Sequence, residues 1–233
     1  MKKKAFRAAL PYSLPICIGF LFIAMSYGFL MRSRGFSVFY PMAMSAFIFA
    51  GSMEFVAVEL LLSAYAPLHA FLLTLMVNAR HLFYGISMLE KYKGMGWKKP
   101  YLIFGMCDET FSITCSAEPP EGVDKGWFMF FITLLDQIYW VASAAMGAAL
   151  GSVLPFSTEG VDFVMTAMFV VIFLNQWEKE KQHASAIIGI AAPLVCLRIF
   201  GSGSFLIPSM VCILVALLLL RRPIEAKESE AAK

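Results

Sequence analysis

Seven ionisable side chains sit inside otherwise apolar stretches of this sequence: Glu54, Glu59, Arg80, Asp108, Glu109, Asp136 and Arg198. In a membrane each would cost roughly 2.5–3.5 kcal/mol on insertion scales, so each needs a partner or a task. Five are acids and two are bases, and complete mutual pairing would leave three acids over. These residues are candidates to line a polar path.

Three clusters carry most of the chemistry. Asn78-Ala-Arg80-His81-Leu-Phe83-Tyr84-Gly85 is the densest. Read as one helix, it puts Asn78 with His81 and Arg80 with Tyr84 on shared faces. An arginine can hold a carboxylate in a bidentate grip, and a histidine beside it titrates near neutral pH. Alternatively, Arg80 snorkels to an interface and marks a helix end. The second cluster is Asp108-Glu109-Thr110-Phe111. Its two carboxylates suit an ammonium ligand or a retained proton, or else a structural ion pair with Arg80 or Arg198. In the third, Gly51-Ser52-Met53-Glu54-Phe55, small residues permit either an unwound turn or a close helix contact. Glu54 and Glu59 project about 140° apart on an ideal helix, which argues against one shared site. Asp136 is expected to balance a positive partner, and Asp136, Arg198 and Glu59 read as structural charges. Small residues from Gly147 to Gly151 suit close helix packing.

Other chemistries lack their signatures. There is no HExxH helix, GxSxG elbow or phosphate loop with its lysine. His69, His81 and His183 are too scattered for a metal site. No metal, cofactor, enzymatic activity or nucleic-acid partner is expected, and an ion gradient is the expected energy source. Cys17, Cys107, Cys115, Cys196 and Cys212 lie in apolar stretches without CxxC pairing and read as buried, unpaired thiols.

The elements that must position these groups are apolar helices. Hydrophobic residues make up 60% of the 233 positions and charged residues 15%, with a mean hydropathy of +0.73. A soluble domain is about half apolar and about a quarter charged. Leu10 to Met31 contains no charged residue, and roughly 20 apolar residues cross a bilayer as helix. The expected fold is an all-α, polytopic transmembrane bundle. Its apolar segments lie near 10–31, 38–64, 67–88, 101–116, 127–153, 161–177, 183–200 and 205–220. Residues 1–222 read as one transmembrane domain, with 223–233 a polar, disordered cytoplasmic tail. The basic start is read as leading into an uncleaved first span, because the apolar run is long and contains Pro11 and Pro15.

Orientation follows from Lys and Arg in short loops. Lys2, Lys3, Lys4 and Arg7 place the N-terminus in the cytoplasm, and Lys91, Lys93, Lys98 and Lys99 ask for the same side. Three complete spans would put the second group outside. From a cytoplasmic 91–99 loop, five more spans would likewise put Arg221 and Arg222 outside. A broken or re-entrant segment in each half restores parity, segment two near Gly51-Ser52 in the first and the pair around Pro193, Gly201, Gly203 and Pro208 in the second. The alternatives are seven spans, or one loop that breaks the charge rule.

With these three motifs, in this order and spacing from about residue 8 to 220, the chain resembles the AzlC family, large subunits of branched-chain amino-acid exporters. The resemblance implies a bacterial inner-membrane location, a small AzlD-type membrane subunit as partner, and outward movement of branched-chain amino acids. Glutamine is common in that family where this chain has Glu54, and an acid is not expected at Glu59. The combined reading is a secondary exporter, coupled to protons. Arg80 with Asn78, Ser52 and Glu54 would bind substrate, Phe55 and Phe83 would receive its side chain, and Asp108, Glu109 and His81 would relay charge. Rival readings are a membrane scaffold or sensor, in which buried charges only register helices, and a passive channel.

Overall fold

The computed structural model describes residues 2–64, 66–153, 183–201 and 205–220, with isolated positions between 163 and 178. Most of segment six and the whole of the 223–233 tail lie outside the described residues. Among the described residues all regular structure is helical. The chain divides into two compact units, residues 1–165 and 166–233.

Two long helices frame the first unit. Helix α1 (Lys2–Ser33) and helix α8 (Lys125–Val153) have 32 and 29 residues. At about 1.5 Å per residue each exceeds the ~30 Å hydrocarbon core of a bilayer. Both are apolar enough to cross one. Helix α8 opens on an aspartate cap, the Trp127 N–H donating to Asp124 Oδ1 at 2.8 Å. The pair runs parallel. Lys2 lies over the Trp127 ring, Phe6 meets Phe131, and Gly28 reaches Ala144 and Ala148. A buried stripe on α1 (Ala5, Ala9, Phe20, Ala24, Tyr27, Met31) faces this contact, while Leu14, Ile18 and Phe22 are exposed. Apolar exposure on this scale requires a non-aqueous environment.

The middle segments are not continuous helices. Segment two is α2 (Phe39–Phe47) and α3 (Gly51–Leu62); segment three is α4 (Pro67–Val77) and α5 (Arg80–Met88); segment four is α6 (Lys98–Phe104) and α7 (Asp108–Thr114). The interruption near Gly51-Ser52 matches the sequence expectation. The other two correct it, because 67–88 and 101–116 read as single helices. The step at Asn78-Ala79 is a tightened turn: Ala79, His81 and Leu82 donate to carbonyls only three residues back.

Segments two and four are helical hairpins that enter from opposite ends of the α1–α8 pair. Segment two starts beside the end of α1, where Phe36 meets Tyr40, and returns there, with Glu59 paired to Arg34 at 3.0 Å. Segment four starts beside the beginning of α8, with Lys98 Nζ 4.9 Å from the Trp127 ring. It returns to that end, where Lys91 donates to the Cys115 and Ala117 carbonyls and pairs with Glu118. Lys91 thereby holds the Glu118 carboxyl below the usual carboxylate range. Segment three joins the two ends. The loop of 89–97 thus shares an end with the N-terminus, as its lysines asked.

Both hairpins turn against the middle of α8. A Cβ at Gly51 would meet the Trp140 ring at 2.9 Å, and one at Gly105 would meet Thr133 at 2.2 Å. In the second unit, α9 (Ala184–Phe200, containing Pro193) packs on α10 (Leu206–Leu219). All five cysteines are free thiols, but burial holds only for Cys107 and Cys196. Cys17 is half-buried, Cys115 is exposed in the turn that ends α7, and Cys212 is exposed on α10.

The α1–α8 contact is backbone on backbone, since added Cβ atoms would fall 2.1 Å from Ala144 O at Gly28 and 2.1 Å from Met25 O at Gly147. Overpacking costs ~1–3 kcal/mol and more where backbone must move. Gly28→Val and Gly147→Val are therefore expected to lower the melting temperature of the detergent-purified protein clearly. Gly19→Ala, with no atom within 4 Å of the new carbon, should leave it almost unchanged.

Candidate functional site

Breaking a helix leaves N–H and C=O groups that water would ordinarily take. At the α2–α3 break side chains take one of each. The Ala50 N–H, which would have bonded to Ala46 O, donates to Glu54 Oε1 at 3.2 Å. The Ala46 carbonyl accepts from Gln137 Nε2 at 2.9 Å, and Gln137 Oε1 accepts from the Tyr101 hydroxyl at 2.6 Å. Glu54 is fully buried and also accepts from Ser45 Oγ at 2.7 Å and Trp140 Nε1 at 3.0 Å. Its carboxylate fixes α2, α3 and α8 together. Phe49, at φ 48, takes the strained left-handed conformation that lets the chain turn here.

The fixed break presents Ser52 in the first turn of α3. Arg80, first residue of α5, donates through an Nη to Ser52 Oγ at 2.7 Å and through Nε to Asp108 Oδ1 at 2.8 Å. Asp108 is the first residue of α7, where an acid is favoured by the orphan N–H groups and the helix dipole. The Tyr84 hydroxyl donates to the same oxygen at 2.7 Å, and its ring stacks on Phe111 with centroids 4.3 Å apart. One guanidinium therefore spans the three interrupted segments. Its side chain is 31% exposed and that of Asp108 19%, so the pair is only partly buried.

Residues 15–154, which contain all three interrupted segments, match the family model described as AzlC protein. This chain belongs to the AzlC family. It is 60% identical over 224 residues, 96% of its length and 88% of the relative's, to a Bacillus subtilis protein named branched-chain amino acid transport protein AzlC. An uncharacterized membrane protein of Haemophilus influenzae is 46% identical over 96% of this chain and 92% of its own. The Escherichia coli inner membrane protein YgaZ is 25% identical over 86% and 84%. No solved structure matches.

In this AzlC-family chain, then, Ser52, Arg80 and Asp108 of the sequence candidates come together, and the open choice of ion-pair partner for Asp108 resolves to Arg80. Asn78 sits at the step beside Arg80 with Oδ1 buried and unpartnered. His81 lies against Tyr84, ring centroids 5.6 Å apart. Glu109 follows Asp108 in the first turn of α7. Phe55 is buried against Tyr27, and Phe83 is half-exposed on α5. Glu59 lies away from the site on Arg34, and Arg198 is exposed in the last turn of α9. Asp136 corrects its expectation. Rather than a cation it meets the Thr110 hydroxyl, at 3.0 Å, and no ion pair reaches it among the described residues. Tyr84 joins the site as its spacing from Arg80 allowed, and Thr110 joins it from beside Asp108. Trp140 and Ser45 carry no local signal.

The three donors on Glu54 also explain how a glutamine could stand there. An amide oxygen at Oε1 keeps the Trp140 and Ala50 bonds, and its NH2 can donate to Ser45 Oγ. Each buried group left unpaired costs about 1–3 kcal/mol. Glu54→Gln should therefore melt close to the parent in detergent, and Glu54→Ala far below it. Equal losses would show that the hydrogen bonds at the break contribute nothing.

Proposed function

We propose that this chain is a secondary membrane transporter of branched-chain amino acids, with Arg80, Asp108 and Ser52 as the substrate site. The observation that carries this reading is the Arg80 guanidinium bridging Ser52 and Asp108 where interrupted helices meet. Asp136 lies about 14 Å along α8 from Trp127, roughly half the ~30 Å hydrocarbon thickness. Discontinuous helices meeting near the bilayer midplane are a recurring transporter architecture. Segments two and four are then re-entrant hairpins from opposite faces, and α1, segment three and α8 are complete crossings.

An ion pair between an arginine and an aspartate is complementary to a zwitterion. The substrate carboxylate accepts hydrogen bonds from Arg80, Ser52 and the first turn of α3, and its ammonium group donates to Asp108. Charge is exchanged rather than left unpaired, which keeps the cost of moving a doubly charged molecule low. Asn78 and His81 border this site, and the exposed ring of Phe83 is on the same helix as Arg80. The name of the Bacillus subtilis relative supports the substrate class. Outward direction, proton coupling, a small AzlD-type membrane subunit and the bacterial inner membrane complete the reading, with the N-terminus in the cytoplasm beside the lysines of 91–99.

Losing the hydrogen bonds that a partly buried charged group makes costs roughly 1.5–3 kcal/mol. In vesicles from cells expressing the chain with its small subunit, counterflow of labelled valine or leucine should exceed that of empty vesicles. Arg80→Ala should lower it by about 30-fold or more, and Arg80→Lys, which loses the fork geometry, should lower it strongly. Undiminished counterflow in Arg80→Ala would sink the site assignment.

A further inference from the structure

Asp136 has no place in that substrate site, yet it is fully buried with half of its carboxyl group unserved. Oδ2 accepts from Thr110 Oγ1 at 3.0 Å, while Oδ1 is enclosed and has no partner. The titratable groups facing it are Glu109 and Cys107 of the α7 hairpin and Tyr101 of α6. The Tyr101 hydroxyl is committed to Gln137. Helix α2 carries no charged residue, and the charges of α1 lie near its ends. Among the described residues, the one charged neighbour found facing Asp136 is therefore the acid Glu109. An ionised carboxylate with one neutral donor in such surroundings is strongly disfavoured. A proton on Oδ1 removes the charge and turns the unserved acceptor into a donor.

We propose that Asp136 is the proton-binding site that couples an ion gradient to the substrate site. The inference rests on the transport reading and adds to it where the ion binds and how its binding is felt. The connection is α7, a helix of seven residues. Thr110, which serves Asp136, is two residues from Asp108, which holds Arg80. The Thr110 hydroxyl also meets the Cys107 thiol at 3.2 Å, at the turn where segment four reverses. When Asp136 loses its proton, both oxygens demand donors, and the groups in reach belong to this turn. Movement of the turn carries Asp108 with it and changes its grip on Arg80. A proton fits this site better than a metal ion. Among the described residues no group of three His, Cys, Asp or Glu side chains could hold one.

The test pairs transport with a direct reading of the carboxyl group. In vesicles carrying the chain and its small subunit, an imposed pH gradient should concentrate labelled valine or leucine. In Asp136→Asn that accumulation should be lost, and the exchange that remains should no longer depend on pH. Asp136→Glu should restore the gradient response in part. On the purified protein, an infrared pH titration should show a protonated-carboxyl band in the parent that is absent from Asp136→Asn and shifted in Thr110→Val. Accumulation by Asp136→Asn at the parent level, or an unchanged infrared titration, overturns the proposal. So does loss of all exchange in well-folded Asp136→Asn and Asp136→Glu alike, which would make the carboxyl structural. If the parent moves no amino acid, the transport reading fails, and the infrared titration alone decides whether Asp136 binds a proton.

Discussion

In apolar surroundings a helix can be interrupted only if other groups take the backbone N–H and C=O that the break releases. This constraint divides the polar residues of the chain into two kinds. Glu54 and Gln137 take the Ala50 N–H and the Ala46 C=O freed between α2 and α3, and Trp140, Ser45 and Tyr101 hold those two side chains in place. They are committed to the scaffold. Because they are, Ser52 stands fixed at the head of α3, and Arg80 can reach it together with Asp108.

Helix α8 is the common wall of both breaks. Within Thr133, Asp136, Gln137 and Trp140 it receives Gly105, Thr110, Ala46 and Gly51 from two hairpins that arrive from opposite ends. Two of these contacts need a glycine because the opposing side chain lies where a Cβ would be. The others are hydrogen bonds. Charge is distributed unevenly around the wall. Arg80 compensates Asp108, the donors on Glu54 disperse its charge, and among the described residues Asp136 has Thr110 alone. A site rich in acids is suited to taking up positive charge, whether from an ammonium group or a proton.

Much of this was readable in the residues. Composition and charge-free stretches pointed to the helical, apolar fold, and the conflict between loop lysines and span count pointed to an interruption near Gly51, where α2 and α3 are separate helices. Intramembrane charges singled out Arg80 and Asp108. The steps at Asn78 and Gly105 were missed because hydrophobic periodicity continues through them, and no proline marks either. The role of Glu54 was unreadable for another reason. Its partners Ser45 and Trp140 lie 9 and 86 residues away, and only tertiary packing brings them together. The same holds for Asp136, whose expected cation is replaced by a threonine hydroxyl 26 residues distant.

On the proposed function, the Arg80–Asp108 pair recognises both charges of an amino acid at once. Titration calorimetry of the purified protein with L-valine, valinamide and N-acetylvaline tests this most directly. Valine should bind, while valinamide, lacking the carboxylate, and N-acetylvaline, lacking the ammonium group, should each bind at least about tenfold more weakly, a difference of ~1.4 kcal/mol. Equal binding of all three, or none by valine, would contradict the account.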